Sequence, residues 1–349
     1  MSTDPIRRRK TLRTAADLIA AGLASEGERG ELAQVAERFA VAVSPAVADL
    51  IDPADPADPV ARQYVPAPEE LAEADSDRPD PIGDEAYSPV KGIVHRYPDR
   101  VLLKPVMVCP VYCRFCFRRE VIGDADGTLS ETELERALAY VAGAPAVREV
   151  VVTGGDPFML PPPRLAALVS RIARIPHIDV LRFHTRVPVA DPERVTAALA
   201  QALKADLAVW VAVHVNHPRE LSPLARRALA CLAEAGLPLL SQTVLLKGVN
   251  DDPLVLEALF RALVRNRVKP YYLHHPDLAR GTAHLRPTIE EGRAIVKALR
   301  GRLSGIAQPT YVLDIPGGAG KVPIGPEWWD EQTQMVEDWR GARHPYPPR

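Results

Sequence analysis

Long apolar runs are missing from the chain. No stretch approaches the ~20 residues that a membrane span needs, and Met1-Ser-Thr-Asp lacks the apolar core of a secretory signal, so a cytoplasmic protein is expected. Charge of one sign is not in excess either: 43 Lys and Arg stand against 45 Asp and Glu, a formal net charge of -2. No broad field is therefore set up to attract nucleic acid or an anionic membrane, and the one basic run, Arg7-Arg8-Arg9-Lys10, is read as a solvated tail. Cysteine is scarce, four in 349 residues, which excludes a disulfide scaffold and fits a reducing compartment.

What the chain does have is apolar residues, at 47%, enough for a large core, and proline, at 35 residues, roughly twice the ordinary share. Pro53, Pro56, Pro59, Pro66, Pro68, Pro79, Pro81 and Pro89 crowd one acidic stretch. Regular helix is impossible there, so the stretch is read as an extended connector that wraps the rest. Before it, residues 12–24 and 30–51 carry apolar residues at helical spacing and predict a short helical arm.

From about residue 92 the pattern alternates. Strands are expected over residues 101–108, 147–153, 179–184, 207–215, 237–246 and 269–275, each followed by a helix, over 131–141, 163–175, 192–204, 222–235, 253–268 and 289–303. Ser130 with Glu133 forms a capping box in sequence, and Asp191-Pro192 and Asp252-Pro253 place a cap before a proline at the first helical position. Six β-α units in a row argue an α/β partial barrel, (β/α)6, with its site at the C-terminal ends of the strands. A seventh strand-like run, residues 310–313, leads into Asp314. The expected divisions are 1–91, 92–305 and 306–349.

Three of the four cysteines, Cys109, Cys113 and Cys116, fall just after the first of these strands. Thiolates at such short range suit a soft metal centre, yet a full Fe–S cluster or structural zinc site takes four protein ligands. The fourth is absent, because Cys231 lies in an apolar helical run and is read as a core residue. A three-cysteine cluster would leave one iron open; the residues alone also permit a zinc site completed from a distance, or plain reduced thiols. A second signal is Asp314-Ile-Pro-Gly-Gly-Ala-Gly-Lys321. It is not a nucleotide-binding P-loop, since Ile315 stands where the first Gly belongs and Val322 where Ser or Thr does. A lysine in a glycine-rich turn at a barrel mouth can instead form a Schiff base with pyridoxal phosphate (PLP).

Taken together, Cys113-Arg-Phe-Cys-Phe-Arg-Arg119, the Asp314 to Pro323 turn, His95-Arg-Tyr-Pro-Asp-Arg100, Asn216-His-Pro-Arg-Glu, Gln242-Thr-Val-Leu-Leu-Lys-Gly-Val-Asn-Asp and Pro270-Tyr-Tyr-Leu resemble the lysine 2,3-aminomutase family. With Leu50-Ile-Asp-Pro-Ala-Asp-Pro-Ala-Asp-Pro-Val the resemblance spans roughly residues 10–326. These are radical S-adenosylmethionine (SAM), PLP-dependent enzymes. The resemblance implies a radical SAM partial barrel with an N-terminal helical extension and a C-terminal segment carrying the PLP lysine.

By that resemblance Cys109, Cys113 and Cys116 hold a [4Fe-4S] cluster and Lys321 carries PLP. Arg96, Arg100 and Arg186 would bind the PLP phosphate. Gly154, Gly155 and Asp156 would meet SAM, Gln242 would bind a cofactor, Arg118 would take the substrate carboxylate, and Asp277 and Asp314 the ε-ammonium of lysine. The implied reaction is conversion of L-lysine to β-lysine through a 5′-deoxyadenosyl radical. Implied partners are lysine and an electron donor such as flavodoxin or ferredoxin, while a homo-oligomer is left open. The residues from Glu327 on carry none of the cysteines that bind zinc in long family members, and other features approach the branch that makes β-lysine for elongation factor P. An aminomutase acting on glutamate, and a non-enzymatic Fe–S or metal-binding protein, are the competing readings.

Overall fold

The computed structural model describes residues 10–348 except Asp124, so the basic run at Arg7 to Arg9 lies outside the described residues. Its centre is one nine-stranded sheet in simple sequential order: β1 Ile93–Tyr97, β2 Arg100–Val106, β3 Glu149–Gly154, β4 Val180–Thr185, β5 Ala208–His214, β6 Leu239–Val244, β7 Val268–His274, β8 Thr310–Ile315 and β9 Gly320–Pro323. Strands β2 to β8 run parallel, while β1 and β9 pair antiparallel at the two edges. The edges approach each other, because the Tyr97 hydroxyl on β1 accepts the Lys321 backbone N–H of β9 at 2.6 Å. The sheet is thus a nearly closed barrel, with all six expected strands and six β/α units in place.

The expected helices form where the caps predicted them. Ser130 and Glu133 close a capping box on Glu131–Ala142, and Ser222 and Asp252 accept from the first turns of Pro223–Glu234 and Pro253–Arg265. The helix expected over 192–204 is an exception. It divides into a turn at Pro192–Arg194 and the helix Ala197–Ala202, with a separate short helix Val187–Ala190 before it, because the Asp191 side chain caps nothing and the Thr196 hydroxyl starts a new helix by accepting from Leu199. The N-terminal arm is also shorter than its periodicity, with Ala15–Ala20 and Arg29–Arg38 as its main helices. Lys321, expected in a turn, sits on β9 itself, paired in register with Asp314 of β8.

The two larger hydrophobic clusters hold these parts. The larger lies between sheet and helices, through residues such as Val152, Phe183, Val211, Leu229, Phe260 and Leu273. The smaller joins Leu18, Val43, Val47, Val60 and Tyr64 of the arm and connector to Val111 of the cysteine loop and Ala190. Charge fastens the same junction. Glu70 of the connector, fully buried, accepts from Arg114 Nε at 2.9 Å and Nη2 at 2.6 Å and also from Arg119, while Arg114 Nη1 donates to Ala40 O at 2.9 Å. Burial would raise the Glu70 carboxyl, but the two guanidiniums outweigh it and hold the pKa below the usual carboxylate value.

Glu70→Ala leaves two arginines buried without a counter-charge, a loss expected to cost about 3–5 kcal/mol. Urea unfolding should show the midpoint falling accordingly, whereas Glu131→Ala, on an exposed helix end, should leave it within about 0.5 kcal/mol of the parent.

Candidate functional site at the barrel mouth

The cysteine loop leaves the C-terminal end of β2 and is pinned there by the turn after β3. Gly155 N–H donates to Val106 O at 2.8 Å and Asp156 N–H to Val108 O at 2.9 Å. Both glycines are demanded by this contact: a Cβ on Gly155 would lie 2.5 Å from Val108 O, and Gly154, at φ +105°, would put one 2.7 Å from Val106 O. The Asp156 carboxylate turns inward, accepting from Thr185 Oγ1 at 2.8 Å and from the backbone N–H of Phe158, Arg186 and Val187 at 3.0, 2.6 and 3.1 Å. It ties β3 to β4 and so fixes the turn that carries Gly154 and Gly155 beside the cysteine loop.

Cys109, Cys113 and Cys116 are free thiols. Burial pushes all three up, Cys113 to about 11 even with Arg186 Nη1 3.4 Å from its sulfur, so charge from a bound metal is needed to keep them as thiolates. Among the described residues no three His, Cys, Asp or Glu side chains converge closely enough for a single ion. The three thiols form an all-sulfur donor set on one loop, which suits an iron–sulfur cluster.

Arg186 belongs to this side of the site. Its Nε donates to Tyr64 Oη at 2.6 Å, and its Nη2 to Glu220 Oε1 at 2.8 Å and Gln63 Oε1 at 3.1 Å. With Nη1 on Cys113, every terminal nitrogen is committed. Arg186, expected at the PLP phosphate, is held beside the cysteine loop by three buried partners from the connector and the β5 exit.

Lys321, Asp314, Arg96, Arg118 and Asp277 lie near one another. Lys321 Nζ lies against Asp314 Oδ2 and 3.4 Å from His274 Nδ1. Arg96 reaches Asp314 at 4.0 Å and Asp84 at 3.1 Å, and Arg118 binds Asp84 through Nη2 at 2.7 Å and Nε at 3.1 Å. Arg100 stacks on Tyr97, 3.7 Å from the ring centre. Gln242 is buried on β6 beside His214 of β5 in the register. Asp277 feels Asp314, Lys321 and Arg118, and burial followed by the nearby Asp314 pushes its carboxyl to about 7. Burial also pushes Asp314 up, but the His274 imidazole, 3.8 Å from Oδ2, and the charge of Lys321 prevail and bring it to about 2. Cys116 is close enough to Arg118 and Asp277 to feel both, so cysteine loop and lysine pocket form one site.

A primary amine beside unsatisfied donors suits an anionic aldehyde such as PLP. Arg96 Nε and His274 Nε2 are buried without a hydrogen-bond partner, so the residue set fits the group. Sequence reasoning missed three residues here. Asp84 and Lys104 meet Arg118 from the connector and β2, with Lys104 Nζ 3.9 Å from Asp84. His274 was signalled only by its strand alternation with Tyr272.

Comparison with known proteins agrees with this geometry. Residues 103–259 match the radical SAM superfamily, and residues 296–340 match lysine-2,3-aminomutase. The chain is 41% identical over 311 residues to an L-lysine 2,3-aminomutase of Clostridium subterminale, covering 89% of this chain and 74% of that one. It is 39% identical over 309 residues to the L-lysine 2,3-aminomutase of Fusobacterium nucleatum, covering 88% and 73%. A glutamate 2,3-aminomutase of Clostridioides difficile is 36% identical over 317 residues, covering 90% and 75%.

Replacing any one of Cys109, Cys113 or Cys116 by Ala is expected to abolish iron and sulfide incorporation on anaerobic reconstitution. Cys231, which packs against the main core, should be replaceable by Ala with iron content unchanged.

Proposed function

Because the chain belongs to the lysine 2,3-aminomutase family of radical SAM enzymes, we propose that it isomerises L-lysine to β-lysine by moving the amino group from C2 to C3. Radical SAM enzymes hold a [4Fe-4S] cluster and cleave SAM, and lysine 2,3-aminomutases also use PLP. When bound, these supply the hydrogen-abstracting radical and the π-system across which nitrogen migrates. In this reading Cys109, Cys113 and Cys116 hold the cluster, Lys321 carries PLP, Arg96 and Arg100 face its phosphate, and Arg118 takes the substrate carboxylate.

The observation that carries the substrate assignment is the pair Asp277 and Asp314 in one pocket with Arg118. A cation at one end and two carboxylates at the other select an amino acid whose side chain ends in an ammonium. The γ-carboxylate of glutamate would meet like charge there and be rejected. Arg118 also positions itself for the task, since Asp84 holds the guanidinium at a fixed angle and Phe117 lies under it, 4.3 Å from the ring centre. A substrate carboxylate would then share Arg118 with Asp84, and Lys104 adds the extra positive charge that sharing needs.

An amino-acid panel with the anaerobically reconstituted enzyme tests the reading. Lysine should be turned over and glutamate not; turnover of glutamate in place of lysine overturns the assignment. A pH series adds a second check. Asp277 sits near 7 without ligand, and an arriving ammonium favours its charged form, so lysine binding releases a proton below that pH. Affinity for lysine should fall as pH drops below about 7, by up to tenfold per unit, when followed from the visible spectrum of PLP-loaded protein. Asp277→Asn should flatten that slope.

A further inference from the structure

The amine of Lys321 rests in a cradle that suits any primary ammonium. Asp314 Oδ2 accepts from it, His274 Nδ1 lies 3.4 Å away, and the Tyr272 ring centre is 5.7 Å from Nζ. The rings are held in place by each other: Tyr272 stacks on Tyr271 at 3.8 Å and meets His274 edge-on at 5.6 Å. His274 stays neutral here, since burial and then the charge of Lys321 bring its pKa down to about 4. A neutral imidazole offers Nδ1 as an acceptor and does not compete as a cation for Asp314. The other titratable groups near His274 fit the same picture, with His184 and His214 across the barrel also pushed down by burial.

We infer that His274 is a specificity-determining residue: with Asp314 and the Tyr272 face it forms the subsite for the distal ammonium of the substrate, which the Lys321 ammonium fills until that amine is bonded to cofactor. The inference rests on the reading that Lys321 carries PLP. When Nζ bonds to the aldehyde carbon, a C=N bond forms and the carbonyl oxygen leaves as water with two of the three ammonium protons. The nitrogen can then no longer donate to both Asp314 and His274. Asp314, with its side chain 12% exposed, loses its close counter-ion and keeps only Arg96 at 4.0 Å, and a buried carboxylate so weakly paired is costly. A side chain ending in a primary ammonium restores every contact that Lys321 gave up, so loading the cofactor is what opens the cation site.

The experiment compares lysine with norleucine, which lacks only the distal amine, for binding to PLP-loaded protein in the absence of SAM, read from the visible spectrum. In the parent protein lysine should bind far more tightly. His274→Phe should keep the PLP absorbance yet shrink the lysine-to-norleucine affinity ratio roughly ten- to a hundredfold, the range of a hydrogen bond to a charged group, and His274→Asn, which restores an acceptor near Nδ1, should recover much of it. Tyr272→Leu, which removes the aromatic face, should lower the same ratio and serves as the test should the Phe variant fail to load PLP. A ratio unchanged in a loaded variant overturns the role of His274 while leaving the lysine reading intact. A parent protein that prefers glutamate to both ligands overturns the reading itself.

Discussion

Glu70 held by Arg114 and Arg119 is the contact on which the rest of the structure depends. The loop that carries the three thiols also carries Arg114, Arg118 and Arg119, and a guanidinium cannot be buried without an opposite charge. The proline-rich connector supplies it, with Glu70 against Arg114 and Arg119 and Asp84 against Arg118. Glu220 does the same for Arg186. The connector has no core of its own, yet its carboxylates and Tyr64 fix the path of the cysteine loop across the barrel mouth. Fold and site are joined there by charge as much as by apolar packing.

Two groups of charge adjoin at the mouth. Arg96, Lys104 and Arg118 gather around the carboxylate of Asp84. Asp277 and Asp314 lie next to them, with Arg96 4.0 Å from Asp314 and Asp277 near enough to Arg118 to feel it. Their pKa values are driven apart, to about 7 and about 2, because Asp314 has a cation and an imidazole against it and Asp277 has mainly burial and a like charge. An amino acid with charge at both ends finds each end already provided for. A carboxylate left near neutrality is also the group whose state changes most readily when a cation arrives.

Sequence patterns reported the parallel strands well, since each is a short β-branched or aromatic run between strong helix signals. The edge strands were not legible: β1, Ile93–Tyr97, contains His95 and Arg96, and β9 is four residues bounded by Gly320 and Pro323, so both owe their form to pairing with β2 and β8. The cysteines and Lys321 could be read because their chemistry is tied to local spacing. Arg186 and Asp156 could not be placed that way. Arg186 is claimed by Gln63, Tyr64 and Glu220, and Asp156 by the β4 exit, which are contacts between residues distant in sequence. Asp84 gave no signal beyond membership of an acidic stretch.

The central claim is that Lys321, and no other lysine of the pocket, is the residue that carries the cofactor. Lys104 is its natural rival, because burial and the neighbouring Arg118 lower its pKa and make its amine easier to free. Borohydride reduction of PLP-loaded protein followed by peptide mass mapping decides between them. The account predicts loss of the visible band and a stable pyridoxyl adduct on the peptide containing Lys321, absent in Lys321→Ala. An adduct on Lys104, Lys247 or Lys269 instead, or a band that survives in Lys321→Ala, would contradict it.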